Sequence, residues 1–142
     1  MQQRIIHPVT DFELSLDRTQ MSVFTAAAAI TAGDSVFVNS SGRIDRAQAN
    51  ASSTMHAIGV AFEGIASGGA GRVVTHGPMR SDNYDSSGYL GLNAYVSPTT
   101  AGGVSATPPA SSGQIVQQIG VWRERGLLFV SLGGAFQRGG TL

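Results

Sequence analysis

The side chains able to do chemistry are few and scattered. Three histidines stand at His7, His56 and His76, without the His-x-His or His-x-x-x-His spacing that sets two imidazoles on one metal. Lysine is absent, which removes the P-loop, the Schiff base and the Ser–Lys pair. Cysteine is absent too, so there is no thiolate nucleophile, Cys-ligated metal or disulfide framework. None of the 16 serines sits in a Gly-x-Ser-x-Gly elbow. Gly68-Gly69-Ala70-Gly71 lacks the strand, spacing and helix of a dinucleotide site and is expected in a hairpin loop. In Asp82-Asn83-Tyr84-Asp85-Ser86-Ser87-Gly88, Tyr84 occupies a position where a calcium loop needs an oxygen ligand, and no Glu closes the loop; a solvated turn is expected. Asp82 with Asp85, or Asp11 with Glu13, could act as glycosidase carboxylates only if the fold held them roughly 5–9 Å apart across a cleft, and Asp is common in turns for its own backbone hydrogen bonding. The expectation is a protein without catalytic residues, metal or cofactor, and not an enzyme.

Composition points the same way. The chain has 142 residues, the size of one domain, and 34 of them are Leu, Ile, Val or Phe, enough for a core. Nine Arg balance nine acids, so no single-sign field draws the chain to nucleic acid or an anionic membrane. No apolar run reaches the roughly 18 residues of a membrane helix, and Met1 to Val9 lacks a signal-peptide core, so a soluble protein of a cytoplasm-like compartment is expected. Charged residues are only 13%, about half the usual share. A neutral, sparsely charged surface whose only cation is Arg favours association.

The elements that would position any site are short and mostly of period two. Val36–Val38, Gly42–Asp45, Ala57–Glu63, Arg72–His76, Leu92–Ser97, Ile115–Arg123 and Leu127–Leu132 read as strands, separated by Gly- and Ser-rich turns. Ala26–Ala29 favours helix by composition, but Val23-Phe24 before it and Ile30-Thr31 after it favour an extended segment. An internal echo runs through the chain. Val36-Phe37-Val38, Ile44, Ile58-Gly59-Val60, Arg72-Val73-Val74 and Gly77 are answered by Ala94-Tyr95-Val96, Val104, Ile119-Gly120-Val121, Leu128-Phe129-Val130 and Gly133. Two copies are too few for a solenoid. The expected fold is therefore all-β, a small barrel or sandwich built from two pseudo-repeated halves, about 36–77 and 94–133, within one domain spanning 23–142. Residues 1–22 are expected to form an extended N-terminal arm, and Ser97–Gly113 an exposed, mobile loop.

The order Ala-Ile-Thr-Ala-Gly-Asp-x-Val-x-Val at 29–38, then Ile-Gly-Val, then Tyr-Val-Ser-x-Thr-x-Ala-Gly-Gly-Val at 95–104 with Pro108-Pro109 and a second Ile-Gly-Val resembles the capsid decoration, or cement, proteins of tailed bacteriophages. The resemblance covers about residues 23–134. It implies a lambda-decoration-like β-tulip fold and a homo-oligomer, commonly a trimer. It also implies a place on the outer capsid surface of the virion, after assembly in the host cytoplasm, where the protein stabilises the expanded head by binding the major capsid protein. By the same resemblance the arm makes capsid or subunit contacts through Arg4, Ile5, Ile6, Phe12, Leu14 and Leu16, and neither nucleic acid nor membrane is a partner. Head-fibre and tail-fibre modules share this Gly- and Ser-rich β architecture, which leaves a receptor- or glycan-binding module as the alternative.

Overall fold

A computed structural model describes residues 19–84 and 88–137. Ten strands follow one another: β1 (Gln20–Thr25), β2 (Ser35–Val38), β3 (Ile44–Arg46), β4 (Ala57–Ala61), β5 (Ala70–Arg80), β6 (Asn93–Val96), β7 (Val104–Ser105), β8 (Ile115–Glu124), β9 (Leu127–Ser131) and β10 (Ala135–Gln137). The one helical piece among the described residues is a 3-10 turn at Ser52–Thr54. The chain is all-β, as its period-two runs predict. Its antiparallel sheet runs β3-β2-β4-β5-β9-β8-β6-β7, with β1 added to β5 and β10 to β8, and it curls into a half-barrel.

That order reads alike from both ends, and the registers show why. On β2 and β4, Val36 faces Gly59 and Phe37 faces Ala57, so Ile58 is an extra, bulged residue. On β6 and β8, Ala94 faces Gly120 and Tyr95 faces Gln118, and Ile119 is the bulge. A bulge bends its strand and increases the local twist, so the same device curls each half. Val38 faces Ile44 as Val96 faces Val104. The hairpin partners are offset by one residue from the sequence echo: Val60 pairs with Val74 and Val121 with Phe129. Val74 therefore corresponds to Phe129 rather than to Val130. Gly77 pairs with Val130 inside β5, whereas Gly133 lies beyond β9, so these two glycines are not counterparts.

The two halves offer opposite faces to the core they share. Phe37, Val60 and Val74 of the first half enter the main core, together with Ala94, Ile119, Trp122 and Leu128 of the second. The first-half counterparts of those four, Val36, Ile58, Ala61 and Val73, pack instead in a smaller cluster on the other side of the sheet with Ala26, Ile30, Ile44 and Ile65. Both faces of β2, β4 and β5 are thus covered, which explains their adjacent apolar pairs Val36-Phe37, Val60-Ala61 and Val73-Val74. Each fully buried Val or Ile contributes about 1.5–3 kcal/mol relative to exposure. The cover is the alanine stretch, which is not helical: Ala26 bridges Ile44 and Ile30 bridges Ile65, with bends at Ala27 and Ala28 between them. Small side chains let this strap lie close, with Ala26 fully buried.

Three expectations are corrected. Residues 20–22 belong to β1, which pairs with β5 of its own chain, because Met21 and Phe24 find apolar cover on the body; an arm can reach only as far as Thr19. The Ser97–Gly113 stretch is docked rather than loose. Pro109 and Ser97 are buried, β7 pairs with β6, and Ser35 N–H donates to Gly102 O, Gly102 N–H to Ala47 O and Ala49 N–H to Ser97 O, at 2.8, 2.7 and 2.9 Å. Ala70 and Gly71 are strand residues of β5, not loop.

Candidate functional site

A cleft of about 360 Å³ opens where the two halves meet. Its walls come from segments far apart in sequence: the Gly33-Asp34 turn, the Asn83-Tyr84 turn, Tyr89, the docked 97–107 segment and Trp122 of β8. The two turns are held together by specific bonds. Tyr84 Oη donates to Gly33 O at 2.9 Å, and Asn83 Nδ2 donates to Ala32 O at 3.0 Å. The Tyr84 ring meets Trp122 edge to face, with centroids 5.2 Å apart, a favoured aromatic geometry. Tyr84 is therefore a buried pin, whereas Asp82, Asn83 and Gly88 are exposed turn residues, as the sequence suggests.

Among the described residues, Asp34 is the only charged side chain on the cleft wall. Burial raises its carboxyl above the ordinary carboxylate range, while the Thr31 N–H and the charge of Arg46 pull the other way; Thr31 N donates to Oδ2 at 2.9 Å. Burial, with the Asp34 charge adding to it, pushes the Tyr84 phenol far up, so Tyr84 stays a neutral donor. The core side of the wall holds an unmet donor. Trp122 is 2% exposed, and its Nε1 is the one buried side-chain polar atom without a hydrogen-bond partner among the described residues. Tyr89 is 45% exposed.

A second feature is the outer face of the second half. Tyr95, Val121 and Phe129, counterparts of the core residues Phe37, Val60 and Val74, lie outside and are only half-buried. Arg123 stacks over the Phe129 ring at 4.2 Å, and His76 meets its edge at 5.3 Å. Beside them, Tyr95, Val116 and Phe136 line a shallow groove, and Phe136 is 57% exposed. No strap like residues 26–30 covers this face among the described residues.

The arm residues Arg4, Ile5, Ile6, Phe12, Leu14 and Leu16 lie outside the described residues, as do His7, Asp11, Glu13 and Asp85. His56, His76 and Asp82 are exposed, and no group of three or more His, Asp or Glu side chains able to hold a metal occurs among the described residues. Sequence reasoning missed the cleft altogether. The one available signal was Val104, whose place in the echo sets the 97–107 segment beside β6 rather than in solvent. No family model matches the chain, and none of the curated proteins matches it.

Proposed function

We propose that the chain is a structural particle-binding protein, a decoration protein that attaches to the outside of a tailed-phage head and stabilises the expanded shell, with the major capsid protein and further copies of itself as partners. The observation that carries this reading is the outer face of the second half, which no strap covers among the described residues. Its equivalent in the first half, Phe37, Val60 and Val74, is buried in the main core, whereas Tyr95, Val121, Phe129 and Phe136 form an apolar sheet face of the kind that protein contacts bury. The low charge content supports the same reading, since contact area rather than chemistry is what such a role requires. Among the described residues β1 pairs with β5 alone; its second edge can accept a neighbouring strand.

The test is co-sedimentation of the purified chain with expanded heads of the phage that encodes it, with Val121→Asp and Phe136→Ser as variants. Both sites are surface positions, so melting should hold within a few degrees while binding falls by about tenfold or more for each charge or polar group forced into the contact. Undiminished binding by both folded variants would remove this face from the contact. No binding of the intact chain at all would refute the decoration role.

A further inference from the structure

We propose that the groove between Tyr95, Val116 and Phe136 receives residues 12–16 of a second copy of the chain. The inference rests on the reading of this face as a protein contact and names the partner that fills its groove. Residues 12–16 read Phe-Glu-Leu-Ser-Leu, so an extended conformation sets three large apolar side chains on one side and Glu13 and Ser15 on the other. One side of such a strand requires cover and the other requires water. The groove fits that pattern. It is lined by Tyr95, Pro108, Val116, Gln118, Gly134 and Phe136, none of them charged, so the apolar side chains enter it while Glu13 stays in solvent and no charge is buried. Beside it runs β10, which pairs with β8 alone among the described residues. Its second edge offers backbone groups to an incoming strand, and main-chain bonds combined with alternate side chains in a groove are a recurring way for an extended segment to dock.

The direction of β1 decides which copy supplies the segment. β1 is antiparallel to β5, with Gln20 opposite His76, and Thr19 Oγ1 donates to Pro78 O, so toward its N-terminus the chain heads along β5 to Arg80. Arg80 faces Leu127, which faces Glu124 at the closed end of the β8–β9 hairpin. The groove lies past the other end of that hairpin, where Gly133 N–H donates to Gln118 O and Phe136 faces Val116. The chain thus leaves its body pointing away from its own groove and has to reverse to enter it. Five to seven extended residues carry Leu14 and Phe12 roughly 17–25 Å past Thr19, where a neighbour's groove is met without reversal. The net charge is zero, so two copies approach without long-range repulsion.

The chain has no cysteine, so introduced thiols report contact without background. Two full-length chains that differ in a tag are mixed and oxidised, one carrying Phe12→Cys, Leu14→Cys or Leu16→Cys and the other Gln118→Cys at the groove. Glu13→Cys controls for the far side of the strand, and Pro108→Cys takes the place of Gln118→Cys should that variant fail to fold. A disulfide requires Cα atoms within about 7 Å, so a mixed product is expected from at least one of the three apolar positions and little from Glu13→Cys. A single chain carrying Leu14→Cys with Gln118→Cys tests the reversed path. Light scattering of the full chain without oxidant should show self-association weakened about tenfold or more by Leu14→Asp. No mixed product from any of the three positions, as much product from Glu13→Cys, disulfides formed only within single chains, or unchanged self-association in Leu14→Asp would each overturn the proposal. Heads are absent from this test, so a chain that cross-links yet binds no heads refutes the decoration role alone, and one that binds heads without cross-linking refutes the exchange alone.

Discussion

The amide of Gln117 takes the place of a strand beside Ala57: its Oε1 accepts the Ala57 N–H and its Nε2 donates to the Ala57 carbonyl oxygen, each at 2.9 Å and both buried. Gln117 lies on β8 and Ala57 on β4, strands of different halves that share no ladder. One side chain thus closes the curled sheet where backbone pairing stops.

Replacing Gln117 by Leu keeps the volume but leaves the Ala57 N–H and C=O unpaired inside the protein, at about 1–3 kcal/mol for each buried group. A loss of about 3 kcal/mol corresponds to roughly 10 °C in melting temperature for a chain of this length. Thermal unfolding by circular dichroism checks it, and a drop of less than about 2 °C would mean that water or a shifted backbone replaces the amide.

Gly59 and Gly120 hold corresponding places beside the two bulges, and each is pressed against the carbonyl of the next strand. A Cβ on Gly59 would lie 2.1 Å from Val74 O, and one on Gly120 2.2 Å from Phe129 O. Backbone cannot swing aside as a side chain can, so Gly59→Ala and Gly120→Ala should each cost about 3 kcal/mol or more, at or beyond the upper end of overpacking. Gly134→Ala, with open space around the new methyl, should change the melting temperature little. Similar melting of all three variants would mean that the sheet can flatten without penalty.

The strands were legible where a short apolar, β-branched or aromatic run was bounded by turn residues, as at Val36–Val38 and Leu127–Leu132, and where tight turns were marked, as at Arg125-Gly126. β1, β7 and β10 were not. Gln20–Thr25 mixes polar and apolar residues without a clean period, Val104–Ser105 is two residues long inside a Pro- and Gly-rich stretch, and Ala135–Gln137 is three. The bulges at Ile58 and Ile119 also shift the alternation midway through β4 and β8, so a period count cannot tell which face of each half is inside. The cleft was illegible for a different reason. Asp34, Tyr84 and Trp122 are each ordinary in their local sequence, and only long-range contacts, Tyr84 against Gly33 and Trp122 and the docking of 97–107 onto the first half, bring their segments to one place.

Asp34 gives the protein a pH dependence whose sign follows from its raised pKa. Because the folded state holds this proton more tightly than the unfolded chain does, the group adds stability as the pH falls through its folded pKa toward the ordinary 3.8 and takes that stability away as the pH rises. Asp34→Asn removes the buried charge and keeps an acceptor for Thr31 N–H. Its melting temperature relative to the parent should therefore be most favourable near neutral pH, and the advantage should shrink on acidification toward about pH 4. Paired melting curves across that range check it. An advantage that grows on acidification would show instead that Thr31 and Arg46 hold the carboxylate down.

The arm can be tested apart from the body because the described ladder begins so near it. Thr19 Oγ1 donates to Pro78 O at 2.7 Å, and β1 pairs from Gln20 onward, so a chain starting at Thr19 keeps every described strand pair. Eighteen residues can extend at most roughly 60 Å, several times the radius of about 14–15 Å expected for a domain of this length, enough to leave their own domain. If copies share a symmetry axis, each arm's contact is strengthened by effective concentration. Deleting residues 1–18 should leave the melting temperature within a few degrees while weakening particle attachment by about a hundredfold, within the avidity range of linked contacts. Light scattering on both chains shows whether the arm also sets the oligomer. A truncated chain that binds as tightly as the full one would assign attachment to the body alone, and one that fails to fold would make residues 1–18 part of the domain.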